Sequence, residues 1–184
     1  MMLHRLRLIN KNQMGLTLLE LLIALALATV VTSTTAMVVF QVFDGEARSS
    51  NHINAISRVQ NAGCQVSTDA GMAQMWAVTP PPDPDGFPLT LSWTEWESNE
   101  VHQVVYSIVG NELQREHLID GSSSEIYLFG HIYNTHPDTG EFITYCVWDE
   151  VNFKLAFTLT AVVGVGSQQE IETRVYEVKP RPSI

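Results

Sequence analysis

The first 79 residues contain no proline, and residues 16–44 contain no glycine either. Because these two residues are the usual helix breakers, their absence permits a long helix at the start of the chain. Charge is missing from the same region, since residues 16–43 carry Glu20 as their single charged side chain. About 20 apolar residues cross a bilayer as a helix, so this segment predicts a membrane span.

Basic residues are scarce and unevenly placed. The 184 residues include 10 Lys and Arg against 20 Asp and Glu, which gives a net charge of −10. Arg5, Arg7 and Lys11 lie before the apolar segment and no acid accompanies them. A basic head predicts a cytoplasmic N-terminus and an extracytoplasmic remainder. That remainder is acidic and has no basic stripe, which argues against nucleic acid as a partner.

Cysteine is limited to Cys64 and Cys146, and neither belongs to a CxxC or zinc-type spacing. An exported domain permits disulfides. Cys64 lies in a predicted helix and Cys146 in a predicted strand, so we hypothesise that a disulfide joins the two layers. The alternative is that both act as small buried apolar side chains.

The helical pattern continues beyond the apolar segment. From residue 44 to about residue 75, apolar and small residues recur at steps of three and four and form one stripe of an amphipathic helix. The stripe comprises Ile53, Ile56, Val59, Gly63, Val66, Ala70 and Ala73. The proline-rich segment 80–88 cannot continue a helix and is expected to be a surface loop.

After the prolines, the pattern changes to the period of two that is typical of strands. Strands are predicted at 89–96, 101–109, 112–118, 142–148, 151–163 and 171–178, with a weaker candidate at 125–132. Gly110-Asn111 predicts a tight hairpin, and Gly164–Ser167 predicts a turn. Residues 142–148 are apolar on both faces, which predicts a central strand, whereas 151–163 alternates like a half-buried one.

Together these features predict an α+β fold. Residues 1–15 form a leader, 16–43 a transmembrane or filament-core helix, and 44–184 an extracytoplasmic domain. In that domain an amphipathic helix, 44–75, packs on an antiparallel β-sheet of five to seven strands within 89–178.

The junction of the head and the apolar helix reads Lys11-Asn-Gln-Met-Gly15-Leu16-Thr17-Leu-Leu-Glu20. A basic leader, a glycine, a glutamate five residues later and a long apolar helix together resemble the signal of type IV prepilins and pseudopilins. The close resemblance covers about residues 15–40, and the rest of the chain resembles the family in architecture.

The resemblance implies that a prepilin peptidase cuts the Gly15–Leu16 bond and that the new Leu16 amine is methylated. Glycine leaves that bond sterically open. Glu20 is implied in assembly, because a carboxylate inside an apolar helix requires a partner, and the Leu16 amine of its own or a neighbouring chain supplies one.

The chain is therefore expected to be a non-catalytic filament subunit without cofactors. Its expected location is the inner membrane and then a filament of a type IV pilus, type II secretion or DNA-uptake system. Expected partners are the peptidase, other pilins or pseudopilins and the inner-membrane assembly machinery. The segment from Ile56 to Ala73 resembles J- or W-type minor pilins and pseudopilins, and Glu20 argues against the K-type.

Other interpretations remain open at this stage. Ala26-Leu27-Ala28 imitates the cleavage site of a secretory signal peptide. An ordinary single-span anchor carrying an extracytoplasmic binding module also fits the apolar segment.

Two weaker groups of residues offer incomplete metal sites. His131 and His136 have no third ligand nearby in sequence, and the oxygens of Asn134, Asp138 and Glu141 lack the EF-hand spacing for calcium. No metal is therefore predicted.

Overall fold

The computed structural model describes residues 17–78 and 86–181. It shows an α+β architecture in which one long N-terminal helix is followed by antiparallel sheets, as predicted. The helix α1 comprises Leu18–Met72, close to the predicted limits. The chain divides into two compact units between Asp44 and Gly45, and α1 contributes residues to both.

Eight strands follow the helix within the described residues, arranged in two antiparallel sheets rather than the single sheet predicted. The first sheet has the order β1-β2-β3-β4-β5 and the second the order β6-β7-β8. Their limits are β1 Met75–Val78, β2 Leu89–Thr94, β3 Val101–Val109, β4 Glu112–Ile119, β5 Ser122–Gly130, β6 Tyr145–Asp149, β7 Lys154–Val163 and β8 Glu170–Val178.

The turn predictions are confirmed. Gly110 and Asn111 connect β3 to β4, with Val109 opposite Glu112, and Gly110 has a φ of 64° that glycine accepts without a steric penalty. A short 3-10 turn, Gly166–Gln168, joins β7 to β8. The weaker strand candidate is present as β5. The proline-rich segment was predicted as a surface loop, but its residues 79–85 lie outside the described part of the chain.

The assignment of the central strand was wrong. Residues 142–148 were predicted to be central, but β6 is an edge strand whose Tyr145 and Val147 are exposed. β7 occupies the centre and is buried along most of its length. The alternating threonines of β7 gave the sequence pattern of a strand with one face in solvent. In the structure the Thr160 hydroxyl donates to the Ile143 carbonyl at 2.6 Å, so it is satisfied inside the protein.

The second half of α1 packs on the sheets through small side chains. Its buried positions include Ala55, Val59, Ala62, Gly63, Val66 and Ala70, and Ala73 directly after the helix is also buried. The predicted stripe is therefore largely correct, except that Ile53 is exposed. A Cβ added at Gly63 would lie 2.1 Å from Cζ of Tyr176, so only glycine permits this ring to lie against the helix.

The same helix face buries a charge that the periodicity did not reveal. Asp69 is 1% exposed and lies between the helix and the first sheet. Its Oδ2 accepts hydrogen bonds from the Tyr106 hydroxyl at 2.5 Å and from Arg115 Nε at 2.7 Å. Oδ1 accepts from Arg115 Nη2 and Gln65, both at 3.3 Å. The carboxylate thus joins α1 to β3 and β4.

The pKa values of both Tyr106 and Arg115 are raised within this cluster. Burial raises the pKa of Tyr106, and the negative charge of Asp69 raises it further, so the phenol remains a donor. Burial alone would lower the pKa of Arg115, but the hydrogen bonds and charge of Asp69 outweigh it and raise that pKa. Arg115 therefore stays charged, and its guanidinium is engaged in hydrogen bonds to Asp69.

Both cysteines are free, so the hypothesised disulfide is not formed in the structure. Cys64 follows Gly63 on α1 and is exposed, whereas Cys146 on β6 points into the core. Burial raises the pKa of Cys146 to about 12, so this residue behaves as a small apolar side chain.

Replacing Asp69 with Ala should strongly destabilise the domain, because the Arg115 charge then remains buried without its partner. The expected loss is about 3–5 kcal/mol of unfolding free energy. The double variant Asp69→Leu/Arg115→Leu should recover most of it. Glu125→Gln is the matched control, since Glu125 is exposed and lies 3.9 Å from Arg115 Nη1; its expected cost is about 0–1 kcal/mol.

Denaturant unfolding of the full chain in detergent micelles, followed by near-UV circular dichroism, measures these differences. Equal losses in Asp69→Ala and Glu125→Gln would show that the buried pair does not hold the helix on the sheet.

Candidate functional site

The candidate site is the start of α1, where the predicted processing signal meets the apolar helix. The predicted cleavage residues Gly15 and Leu16 lie outside the described residues, which begin at Thr17. Glu20 is described and lies in the first turn of the helix. The site can therefore be built from Thr17 onward.

Thr17 and Glu20 form a reciprocal capping arrangement. The Thr17 backbone N–H and hydroxyl both donate to Glu20 Oε2 at 3.0 Å, and the Glu20 N–H donates to the Thr17 hydroxyl at 3.3 Å. Thr17 precedes the first helical residue and Glu20 is the third, which is the spacing of a capping box. Two N–H groups that helix geometry leaves without partners are thus satisfied.

This capping role was missed in the sequence analysis, although the Thr-x-x-Glu pattern that signals it is present at residues 17–20. It gives Glu20 a function within its own chain, beside the predicted pairing with a Leu16 amine. The capping bonds use only Oε2, so Oε1 can accept a hydrogen bond from another group. The two roles are compatible.

The side chains that follow Glu20 point outward into the surroundings. Every residue from Thr17 to Glu46 is exposed, including the large apolar ones. By length and composition, α1 is the one helix of the described residues that could cross a membrane. An exposed apolar surface of this extent requires lipid or other protein to cover it.

Polar side chains within the apolar half are satisfied by the helix itself. Thr29, Thr32, Ser33 and Thr35 donate their hydroxyls to backbone carbonyls three or four residues earlier, at 2.7–2.9 Å. Thr34 does the same toward Val30 and Val31. Such bonds remove the cost of exposing a hydroxyl to an apolar environment. The β-branched run therefore remains helical.

Among the described histidines and acids, His131, His136, Asp138 and Glu141 do not form a converging group of three ligands. His136 Nδ1 accepts the N–H groups of Asp138 and Thr139 at 3.2 and 3.3 Å, so it orders its own loop. Within 17–78 and 86–181, the three-residue group whose ligand atoms do converge is Glu95, Glu100 and His102. The sequence analysis did not identify this group.

Comparison with known families places the signal in a defined class. Residues 10–36 match the family described as the prokaryotic N-terminal methylation motif. This motif is the one carried by type IV pilin-like prepilins, a class of structural subunits that are processed by a prepilin peptidase and assembled into pilus-like filaments, and the match covers only the N-terminal part of this chain. The exposed apolar helix fits the membrane anchoring that is typical of prepilins. No curated protein and no solved structure matches the chain.

The capping box makes a prediction about the first turn. Thr17→Val removes the acceptor for the Glu20 N–H and should destabilise the first turn by about 1 kcal/mol, the usual value of an N-cap. Exchange of the Glu20 amide should then be about fivefold faster, since 1.4 kcal/mol corresponds to a factor of ten. Hydrogen exchange measured by NMR on the full chain in micelles tests this.

Thr17→Ser keeps a hydroxyl at the same place and is the control, so its exchange should match that of the wild type. Unchanged protection of Glu20 in Thr17→Val would contradict the capping assignment.

Proposed function

We propose that this chain is a non-catalytic minor pilin or pseudopilin, cut after Gly15, methylated on Leu16 and built into a filament through α1. The observation that carries the proposal is that the methylation motif, residues 10–36, extends into the apolar half of α1, whose residues 17–46 are all exposed among the described residues. A cleavable signal prepares the anchor for release from the membrane, and neighbouring subunits then cover its apolar surface.

The filament would belong to a type IV pilus, a type II secretion system or a DNA-uptake system. The basic head supports an inner-membrane precursor with a cytoplasmic N-terminus. The likeness of residues 56–73 to J- and W-type subunits supports a minor rather than a major role. Expected partners are the prepilin peptidase, other pilins or pseudopilins and the inner-membrane assembly machinery.

A second candidate function is that of a membrane-anchored binding module. It is favoured by an open groove of about 500 Å³ between α1 and the edge strand β5. Its lining includes amides, an exposed thiol, a buried guanidinium and aromatic rings, contributed by Asn61, Cys64, Gln65, Arg115, Glu125, Tyr127 and Phe129. An anchored receptor would keep its leader, whereas a pilin would lose it.

Intact mass spectrometry of membrane-extracted protein separates the two functions. The filament subunit should lack residues 1–15 and carry one methyl group on Leu16. Gly15→Leu should leave the uncut precursor in the membrane, because a bulky side chain blocks access to the scissile bond. Met14→Leu changes the neighbouring residue without adding bulk next to that bond and should be cut normally.

Retention of the leader by wild-type protein that is expressed together with an active prepilin peptidase would refute the pilin function. Normal processing of Gly15→Leu would instead refute the assigned cleavage position.

Glu20 should be required for assembly and not for insertion or cleavage. An ionised carboxylate among packed apolar helices is tolerated only beside a cation, and the Leu16 amine of the adjacent subunit provides one. Such a pair would fix the axial register of neighbouring helices. Glu20→Gln keeps an N3 side chain that can complete the capping box but removes the charge. Assembly should therefore be lost in Glu20→Gln to the same extent as in Glu20→Leu.

Crosslinking between subunits within the membrane, performed after equal cleavage has been confirmed, measures assembly. Thr17→Val is the matched control, because it weakens the cap and keeps the charge, and it should crosslink like the wild type. If Glu20→Gln crosslinks normally while Glu20→Leu and Thr17→Val do not, Glu20 acts through capping and the register hypothesis is wrong.

A further inference from the structure

The turn between β2 and β3 gathers ligating side chains on one face of the first sheet. Trp93 and His102 are directly opposite in the antiparallel register. Glu95 follows Trp93 by two residues, and Glu100 precedes His102 by two. Since alternate residues of a strand share a face, the register directs these side chains to the same side.

The turn itself holds the two glutamates close together. The Glu95 N–H donates to the Glu100 carbonyl at 3.0 Å, and the Asn99 N–H donates to the Glu95 carbonyl at 3.0 Å. The Ser98 hydroxyl fixes the Glu95 carboxylate through a 2.8 Å bond to Oε2. As a result, one ligand atom from each of Glu95, Glu100 and His102 lies within 4.8 Å of the others.

His102 is held in place from two sides. Its ring stacks on Trp93 with the centroids 5.4 Å apart and the planes 3° apart. Its Nδ1 lies 3.0 Å from Nε2 of His117, so a hydrogen bond joins the two rings. His117 lies on β4, two residues after Arg115.

The other nitrogen of His102 lacks a hydrogen-bond partner. Nε2 is buried and finds no donor or acceptor at bonding distance among the described residues. It faces Glu95 Oε2 at 3.6 Å, too far for a hydrogen bond. If His102 donates from Nδ1 to His117, then Nε2 presents a lone pair toward a carboxylate. In that tautomer two electron-rich atoms face each other across 3.6 Å, and a cation bound by both would stabilise the arrangement.

We propose that Glu95, Glu100 and His102 bind a divalent transition cation of the zinc type. Zinc–ligand bonds of about 2.0–2.2 Å place neighbouring ligand atoms of a tetrahedral site roughly 3.3–3.6 Å apart. The distance between His102 Nε2 and Glu95 Oε2 already has this value. The larger separations close by rotation of the glutamates, since the Glu95 side chain is 53% exposed.

The donor set selects the kind of ion. Calcium and magnesium prefer oxygen ligands, so a buried imidazole nitrogen disfavours them. Imidazole and carboxylate together suit zinc, and two carboxylates balance its double charge. His117 would serve as the outer partner that fixes the His102 ring, as is usual for metal-bound histidines. Three protein ligands leave the fourth position open to water or to a donor from another molecule.

Zinc titration of the full chain in detergent micelles, after removal of metals with a chelator, tests the site. Isothermal calorimetry should show one zinc ion per chain, and calcium should bind at least 100-fold more weakly. His102→Gln, Glu95→Gln and Glu100→Gln should each weaken zinc binding at least tenfold. His117→Asn should weaken it by about 10–100-fold, the usual effect of losing an outer partner.

Two matched controls keep the comparison specific. Glu97→Gln removes an exposed acid from the same turn, and His52→Gln removes a histidine that faces Glu170 elsewhere in the domain. Both should bind zinc like the wild type. A second readout is the ¹⁵N chemical shift of His102 Nε2, which should move on zinc addition while Nδ1 keeps its bond to His117.

The proposal is overturned if wild-type protein binds no stoichiometric zinc, or if His102→Gln binds it with unchanged affinity. Circular dichroism checks that each variant is folded. If His102→Gln is unfolded, the two glutamate variants decide, because Glu95 and Glu100 lie outside the core and can be neutralised without altering it. Unchanged zinc affinity in both variants would overturn the site.

Discussion

The domain depends on one buried carboxylate. Asp69 lies on the helix face that otherwise carries small apolar residues, and it binds Tyr106 on β3 and Arg115 on β4. A buried charge tolerates little displacement, because every lost hydrogen bond leaves a desolvated group without a partner. This cluster therefore fixes the rotation of the helix about its axis, and the alanines and Gly63 then meet the sheets at the positions where large side chains would collide.

Several hydroxyls in apolar surroundings are satisfied in a different way, by backbone carbonyls. The hydroxyls between Thr29 and Thr35 bond to carbonyls of their own helix, and the Thr160 hydroxyl bonds to a carbonyl beside β7. In each case the partner is supplied by the backbone, so little side-chain order is required. His102 Nε2 departs from this pattern, because it is buried without a hydrogen-bond partner among the described residues.

Much of this organisation was predictable, and the failures have physical causes. The length of α1 follows from missing helix breakers, and the β3–β4 hairpin follows from Gly110-Asn111. β1 carries no breaker or alternation of its own, and its pairing with β2 is a tertiary effect. The identity of the central strand was hidden because hydrogen-bonded threonine is compatible with burial. Predicting the Glu95–His102 group would have required both the turn geometry and the strand register. The Thr17–Glu20 cap, by contrast, has a recognisable sequence pattern that the sequence analysis missed.

The change in burial along α1 has a consequence for how the sequence can evolve. Residues 17–46 are exposed, so substitutions there leave the folded domain nearly unaltered. These residues are constrained instead by contacts with lipid and with neighbouring molecules. From Ala55 onward, packing against the sheets of the same chain limits which side chains the helix can carry. An added methyl group at Gly63, for example, collides with Tyr176. Two independent selective pressures thus act on a single secondary-structure element, and the ends of α1 are free to diverge at different rates.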